Sequence, residues 1–317
     1  MKERDAVSST SQKVTRPKQL VVVGSMNMDL VLEVEEIPRP GETNIGRNLQ
    51  EFPGGKGSNQ AAAAAKLGAQ VSLIAMTGED SFGEVLRDRA RAIGIDVTHV
   101  EVTPEANTGI ALITVSRLGE NSIVVVPGAN SFLKPENAVR HLRTLGKFEV
   151  ISACLEIPIE TIQVTFSEAR NIGALTVLNA SPFTADAIPL LAQTDYLLIN
   201  EHEIFQITKR DLKDKEDVRK CLKELGASHV VITLGAAGAL YLNVQSEYED
   251  FTFDAPQVVV RDTTGCGDAF AGTLAAELTH GKTIHEAIKI AVKAGSFAAT
   301  RAGAQPSYGD RNEILSI

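Results

Sequence analysis

Short apolar runs that alternate with helical patterns constrain the fold of this chain most strongly. Each run has the length of one strand and shows no regular polar alternation, which is typical of strands covered on both faces. The runs lie at 20–24, 71–75, 150–155, 175–178, 196–199 and 229–234. Patterns with helical spacing lie between them, at 81–93, 135–145, 159–172 and 215–225. This alternation predicts an α/β fold with a Rossmann-type parallel sheet flanked by helices.

Two segments interrupt this alternation, at 30–52 and 109–126. The second contains two strand-like pieces, 109–115 and 122–126, on either side of the turn residues 118–121. No helical pattern separates these pieces, so we expect them to pair as a hairpin. The two segments therefore predict a small, mostly antiparallel sheet outside the main layer.

The length of 317 residues fits one α/β domain with a small appendage. We expect this domain to extend over 18–317, with the small sheet contributed discontinuously by about 30–52 and 109–126. Residues 1–17 are polar, mixed in charge and without periodicity, and they lack the apolar region of a signal peptide. We expect them to form a disordered N-terminal extension.

Charge and composition disfavour several classes of function. The net charge of −9 gives no basic patch for nucleic acid or an anionic membrane surface. No apolar stretch approaches the ~20 residues that a membrane-spanning helix needs. The three cysteines, Cys154, Cys221 and Cys266, are odd in number and scattered, which favours a cytoplasmic location. The six histidines show no zinc-ligand spacing.

A glycine turn at 261–268 leads without a linker into a helical pattern. Phe270, Leu274 and Leu278 recur at intervals of four, which marks one buried helix face. The turn therefore ends at a helix N-terminus, where unpaired backbone N–H groups and the helix dipole attract anions. This segment predicts a phosphate-binding turn.

The residues of this turn divide between binding and chemistry. Gly265 and Gly267 let the backbone approach a phosphate without Cβ atoms in the way. Asp268 carries a carboxylate that repels phosphate, so its position suggests a base that takes a proton from an attacking hydroxyl. A helix cap is the simpler alternative for Asp268. Cys266 is interpreted as a small turn residue, with a reactive thiol as the alternative.

A second glycine turn lies near the start of the chain, at 54–59. It precedes the alanine run 61–65, which predicts a helix from near Ser58 to Gly68. The turn is not a Walker A motif, because that motif places four residues between its first glycine and Gly-Lys-Ser/Thr. It can present backbone N–H groups, one ammonium and one amide to a hydroxyl-rich ligand.

The turns Gly54-Gly55-Lys56-Gly57 and Asp262-Thr263-Thr264-Gly265-Cys266-Gly267-Asp268 resemble the two signatures of the ribokinase-like sugar kinases, also called the phosphofructokinase-B family. Three further segments, 24–29, 200–203 and 300–307, are similar to family motifs and occur in the expected order. The resemblance runs from about residue 18 to about residue 310. It implies a β-sheet lid over a sugar, ATP and Mg²⁺ as cofactors, a K⁺ site, and a homodimer formed through the lid.

The resemblance also implies a role for individual residues. Asp268 acts as the base, beside an anion hole at Gly265, Cys266 and Gly267. The sugar is contacted by Asn27, Met28, Asp29, Gly55, Lys56, Gly57, Ser58, Asn59, Glu156 and Asp268. The nucleotide is contacted by Asn200, Glu203, Thr233, Leu234, Gly235, Ala236, Ala237, Gly238, Gly267, Asp268 and Val292. The K⁺ site takes Asp262, Thr264, Ala298, Arg301, Gly303 and Ser307, mostly through backbone carbonyls.

The resemblance implies transfer of the ATP γ-phosphoryl group to the primary hydroxyl of a pentose, and we expect the acceptor to be O5 of D-ribose. Deoxyribose, fructose and ketodeoxygluconate are alternative acceptors, although Asn27 beside Asp29 suits a sugar with its full set of hydroxyls. A nucleoside is disfavoured, since the lid segments contain one aromatic residue, Phe52, and the chain has no tryptophan to stack on a base. A sugar or nucleotide sensor without catalysis is the alternative from another class. A sensor has no need for a base such as Asp268.

Overall fold

The computed structural model describes residues 18–246 and 249–317. The predicted disordered extension, 1–17, lies outside the described residues. The strands are β1 (Gln19–Val23), β2 (Asn27–Val34), β3 (Arg47–Gly54), β4 (Gln70–Gly78), β5 (Val100–Thr103), β6 (Gly109–Ser116), β7 (Asn121–Val126), β8 (Val150–Cys154), β9 (Leu175–Asn179), β10 (Tyr196–Asn200), β11 (His229–Thr233), β12 (Ala239–Asn243) and β13 (Phe251–Phe253). The α-helices are α1 (Lys56–Lys66), α2 (Ser81–Ala92), α3 (Pro135–Leu145), α4 (Ile159–Asn171), α5 (Glu201–Thr208), α6 (Lys215–Glu224), α7 (Cys266–Thr279), α8 (Ile284–Ala298) and α9 (Arg311–Leu315).

The main sheet has nine strands in the order β13-β12-β11-β10-β9-β8-β1-β4-β5. The strands from β11 to β5 pair in parallel, and β12 and β13 add an antiparallel edge. This arrangement confirms the predicted α/β fold. It also explains why the predicted strands read as continuous apolar runs, since helices cover both faces of the sheet.

Strand β1 shows how the two faces are filled. Leu20 and Val22 belong to one hydrophobic cluster, whereas Val21 and Val23 belong to the other. Residues of α1, α7 and α8 complete the first cluster, and residues of α3 and α4 contribute to the second. Because side chains alternate along a strand, a strand covered on both faces needs apolar residues on both of its sides.

Four strands form the predicted small sheet, in the order β3-β2-β6-β7. β2 pairs antiparallel with β3 and in parallel with β6, and β6 pairs antiparallel with β7. The sheet is therefore mostly antiparallel, as expected, and β6 and β7 form the expected hairpin. It is called the lid sheet below. In the described residues no helix is both long and apolar enough to cross a bilayer.

Helices α1 and α7 cross with their backbones in close contact. A Cβ at Gly272 in α7 would overlap the carbonyl oxygen of Gln60 and lie 2.8 Å from the Ala63 Cβ. Helix α1 begins at Lys56, two residues before the predicted start, because Gly55 adopts a φ of 84° as the preceding cap residue. Both glycine turns lie at the N-termini of these helices. The crossing therefore brings the two turns together.

Candidate active site

The Asp268 carboxylate lies where the two glycine turns meet. It belongs to the first turn of α7 and is 6% exposed. Asn59 Nδ2 donates to its Oδ2 at 3.0 Å, and Gln60 Nε2 donates to its Oδ1 at 3.3 Å. The carboxylate thus bonds across to α1, while the cap residue of α7 is Gly265. This geometry disfavours the interpretation of Asp268 as a helix cap.

A chain of buried hydrogen bonds fixes the direction of these two amides. Gln305 Nε2 donates to Asn59 Oδ1 at 3.1 Å, and Ser152 Oγ donates to Gln60 Oε1 at 3.3 Å. Because both amide oxygens accept bonds, both NH₂ groups face the carboxylate. No role was predicted for Gln60, Ser152 or Gln305. A polar Gln60 directly before an alanine run was the signal that could have identified the first of them.

Several of the residues predicted to contact the sugar carry charged side chains that lie close together. Burial raises the pKa of Asp29, and the neighbouring carboxylates of Glu156 and Asp268 act in the same direction, so that the pKa reaches about 7. The Asp268 charge raises the pKa of Lys56, although burial opposes that shift. The Lys56 ammonium and the Asp29 carboxyl group therefore both lie near the carboxylates of Asp268 and Glu156.

Glu156 has a definite structural role at the end of β8. Its Oε2 accepts from Ser25 Oγ at 2.5 Å and from the backbone N–H of Lys56 at 2.9 Å. It therefore satisfies an N-terminal N–H of α1 and is not a solvated surface charge. Met28, in contrast, is fully buried in the first hydrophobic cluster, so only its backbone could contact a ligand.

A polar cavity of about 220 Å³ opens in front of Asp268. Its lining includes Lys56, Asn200, Glu203, Thr233, Thr263, Gly265, Gly267 and Asp268. In the described part of the chain, the N–H groups of Gly265, Gly267 and Asp268 have no acceptor. The N–H of Cys266 donates to the Thr263 carbonyl at 3.3 Å, so it is the engaged member of the predicted anion hole.

The Cys266 thiol is not activated by its place at the helix start. Burial raises its pKa to about 11, and the carboxylates of Asp262 and Asp268 act in the same direction. This environment supports the interpretation of Cys266 as a small turn residue.

Asn200 and Glu203 form a capping box at the start of α5. Asn200 Oδ1 accepts from the Glu203 N–H at 2.9 Å, and Glu203 Oε2 accepts from the Asn200 N–H at 2.8 Å. Glu203 is 6% exposed and lines the polar cavity. Its second carboxylate oxygen has no described hydrogen-bond partner. A buried carboxylate with a spare oxygen fits a hydrated Mg²⁺, which prefers oxygen ligands and retains several waters.

A larger, more apolar cavity of about 300 Å³ adjoins the first and shares Thr233, Thr263 and Gly267 with it. Of the residues predicted for the nucleotide, it is lined by Thr233, Gly235, Ala236, Gly238, Gly267 and Val292. Leu234 and Ala237 line neither cavity. The segment 255–260, which was not predicted as part of the site, contributes Ala255, Pro256, Gln257, Val258 and Val260. That segment has no regular secondary structure, so periodicity carried no signal.

The loops predicted to hold K⁺ are joined by the Asp262 carboxylate. Its Oδ1 accepts from the Thr264 N–H at 2.9 Å, and its Oδ2 accepts from the Gly303 N–H at 2.8 Å. Burial raises the pKa of Asp262, but these bonds outweigh it and the net pKa is lowered. The Arg301 guanidinium pairs with Glu313 at 2.9 Å, so only its backbone could serve a cation.

Two further members of this predicted set are buried, and their described bonds are local. The Ala298 carbonyl accepts from the Arg301 N–H at 3.1 Å. Ser307 Oγ donates to the Ala304 carbonyl at 2.7 Å. The set thus offers one carboxylate and several backbone carbonyls. Oxygen donors of this kind fit a hard cation.

Comparisons with known proteins find chains that are similar to this one over nearly its whole length. The model of the pfkB family carbohydrate kinases matches residues 17–311. A ribokinase of Haemophilus influenzae is 35% identical over 304 residues, which cover 95% of this chain and 98% of that protein. A deoxyribokinase of Salmonella typhi is 32% identical over 305 residues, which cover 94% and 99%. The structure of Arabidopsis thaliana ribokinase complexed with ribose and ATP has a TM-score of 0.85 at 28% identity, covering 95% and 98%.

The buried charge of Asp29 predicts a pH-dependent gain in stability for Asp29→Asn. The pKa is 3.8 in the reference state and about 7 in the fold, so ionising Asp29 costs folding free energy as pH rises through this window. The variant should match the wild type near pH 4 and be more stable at pH 8, by up to about 4 kcal/mol. Thermal unfolding at both pH values measures this difference. Asp186→Asn, at an exposed aspartate, is the control; an equal Asp29→Asn effect at both pH values would contradict the prediction.

Proposed function

The chain belongs to the pfkB family of carbohydrate kinases, and from that premise we propose that it transfers the γ-phosphoryl group of ATP to O5 of D-ribose. The observation that carries this proposal is the position of Asp268. Its carboxylate lies between the amide of Asn59 and the unpaired N–H groups of Gly265 and Gly267. A sugar hydroxyl and a phosphate could therefore both reach the same end of α7.

The proposed reaction uses Asp268 as general base. The O5–H bond breaks and its proton passes to the Asp268 carboxylate, while O5 forms a bond to the γ-phosphorus. The bond from that phosphorus to the bridging oxygen breaks, and ADP leaves. The N–H groups of Gly265 and Gly267 would stabilise the charge on the phosphoryl oxygens, where one such donor is worth about 2.7–4 kcal/mol. The Lys56 ammonium adds positive charge at the same cavity.

The two adjoining cavities support the placement of ATP. The larger cavity is lined mainly by apolar groups, including Phe270 and Val292, which suit a purine. The polar cavity, with Asn200 and Glu203, would take the phosphates. We propose that Asn200 and Glu203 hold Mg²⁺ through water, and that Mg²⁺ when bound neutralises phosphate charge. The Arabidopsis relative was solved with ribose and ATP, which supports both substrates.

The sugar is the finer part of the proposal. Asn27, Asp29, Lys56, Asn59 and Glu156 supply both donors and acceptors, which suit a polyol with its full set of hydroxyls. Deoxyribose is the second candidate, because the Salmonella typhi deoxyribokinase is nearly as similar as the Haemophilus influenzae ribokinase. The two sugars differ by one hydroxyl, so the ratio of their kcat/KM values separates the candidates.

Replacing Asp268 should strongly reduce turnover while retaining the fold. Asp268→Ala should lower kcat by at least about 10²-fold, because the proton acceptor is lost, and change KM less. A coupled ADP-release assay with Mg²⁺, over ribose, deoxyribose, fructose, ketodeoxygluconate and adenosine, measures both values.

Asp186→Ala, at an exposed site, is the matched control for this assay and should behave as the wild type. An Asp268→Ala protein that keeps more than about a tenth of the wild-type kcat would contradict the role of the base. A wild-type protein that binds ribose without releasing ADP would favour a sensor.

We also propose that the Asp262 loops bind K⁺ and so support the anion hole. The segment that precedes α7 is tied to Gly303 through Asp262, so an ion there would fix the position of Gly265. The sugar-dependent rate in potassium buffer should exceed the rate in sodium buffer at equal ionic strength. Equal rates in the two buffers would remove this part of the proposal.

We further propose that the lid sheet forms a homodimer. Strand β7 lies at the edge of that sheet, and Ile123, Val124, Val125 and Val126 are 46–58% exposed. An edge strand with this much exposed apolar surface invites pairing with another chain.

The dimer proposal predicts that Val124→Glu yields a monomer. The added charge would have to be buried in the contact, so light scattering at micromolar concentration should report half the wild-type mass. Ile172→Glu, at an exposed apolar residue outside the lid sheet, should leave the mass unchanged. A monomeric wild-type protein would exclude the dimer.

We also propose a cytoplasmic location. All three cysteines are free thiols in the structure, which suits a reducing compartment. Cell fractionation tests this location.

A further inference from the structure

Asn130 is a buried amide at the point where the lid sheet joins the main sheet. It lies in a short 3₁₀ turn, Gly128–Phe132, immediately after β7, and is 1% exposed. Its side chain contacts the start of β2 and the residue that follows β7. A polar group at this depth must satisfy its hydrogen bonds within the protein.

Backbone groups fix the orientation of the Asn130 amide. Its Oδ1 accepts from the Met26 N–H at 2.9 Å, and its Nδ2 donates to the Pro127 carbonyl at 2.9 Å. A weaker contact joins Nδ2 to the Met26 carbonyl at 3.2 Å. An N–H can only donate and a carbonyl can only accept, so the reverse orientation would lose all three contacts.

The fixed Asn130 amide in turn fixes Asn27. Asn130 Nδ2 donates to Asn27 Oδ1 at 2.8 Å, so the oxygen of the Asn27 amide is occupied. Asn27 is 3% exposed, and within the described residues its Nδ2 donates to no group. This free donor adjoins the first glycine turn, because Asn27 pairs with Gly54 across β2 and β3.

Close packing leaves the Asn27–Asn130 pair little freedom to rearrange. A Cβ at Gly109, the first residue of β6, would overlap both Asn130 Nδ2 and Asn27 Oδ1. The backbone of β6 therefore presses directly on the hydrogen bond. Any residue larger than glycine at position 109 would disturb the Asn27–Asn130 hydrogen bond.

We propose that Asn130 is a positioning residue that sets the hydrogen-bonding character of Asn27 toward the sugar. It holds the Asn27 amide with its donor free and its acceptor hidden, so the site selects an acceptor, such as a hydroxyl oxygen, at that point. The inference rests on the proposed function, in which Asn27 contacts the sugar. Asn130 itself touches no ligand and acts through Asn27.

Asn130→Asp tests this proposal with the smallest change in shape. The carboxylate keeps an acceptor for the Met26 N–H but places an oxygen against Asn27 Oδ1, so the Asn27 amide should turn its oxygen toward the sugar. The KM and Kd for ribose should rise about 10- to 100-fold, as expected for one lost hydrogen bond and one unpaired group. The Kd for ATP should change less than about twofold, since the nucleotide cavities do not contain Asn27.

A double-mutant cycle separates positioning from general damage. In an Asn27→Ala background, Asn130→Asp should change the ribose Kd less than about threefold, because its target is gone. Thr161→Val is the matched control: Thr161 is fully buried and donates to the Leu133 carbonyl, just after the same 3₁₀ turn. It should lower the melting temperature and leave the ribose KM unchanged. If Asn130→Asp does not fold, Asn130→Ser, which cannot reach Asn27, should raise the ribose Kd about tenfold.

The outcomes distinguish this inference from the proposed function. An active wild-type protein together with an unchanged ribose KM in Asn130→Asp would overturn the inference and leave the proposed function standing. An effect of the same size with and without Asn27 would also overturn it. A wild-type protein that neither binds nor phosphorylates a sugar would overturn both.

Discussion

The contact between α1 and α7 is the constraint on which the site depends. Gly272 allows the two helix backbones to touch, and this contact places Asn59 and Gln60 against Asp268. Each helix also begins at one of the glycine turns. A larger residue at the crossing would separate the carboxylate from its amides. The same close packing that stabilises the fold therefore sets the geometry of the proposed chemistry.

Much of the fold followed from local pattern. Buried strands in a parallel sheet are apolar at most positions, and β1, β8 and β10 are of this kind, so their runs were easy to recognise. The lid hairpin could also be predicted, because the strand-like pieces of β6 and β7 flank a short turn. The family motifs also located both ends of the site. These features are encoded within a few neighbouring residues, and no long-range contact is needed to see them.

The site features that could not be predicted depend on contacts between distant segments. Gln305 reaches Asn59 across 246 residues of sequence, and Asn130 reaches Asn27 across 103. Neither residue has a local pattern that indicates its partner. The apolar lining at 255–260 was missed for a related reason, because an irregular segment has no period. Asn200 and Glu203 also proved to cap α5, a structural role that their spacing alone did not reveal.

The proposed sugar site is divided between the lid sheet and the main layer. Asn27 and Asp29 lie on β2, a strand of the lid sheet, whereas Asn59 and Asp268 lie on helices packed against the main sheet. A tilt of the lid sheet would therefore move the sugar-binding residues of β2 away from the base Asp268. Sugar binding and the catalytic arrangement would then form or be lost in a single movement. An acceptor that is not fully bound would not be placed beside the base.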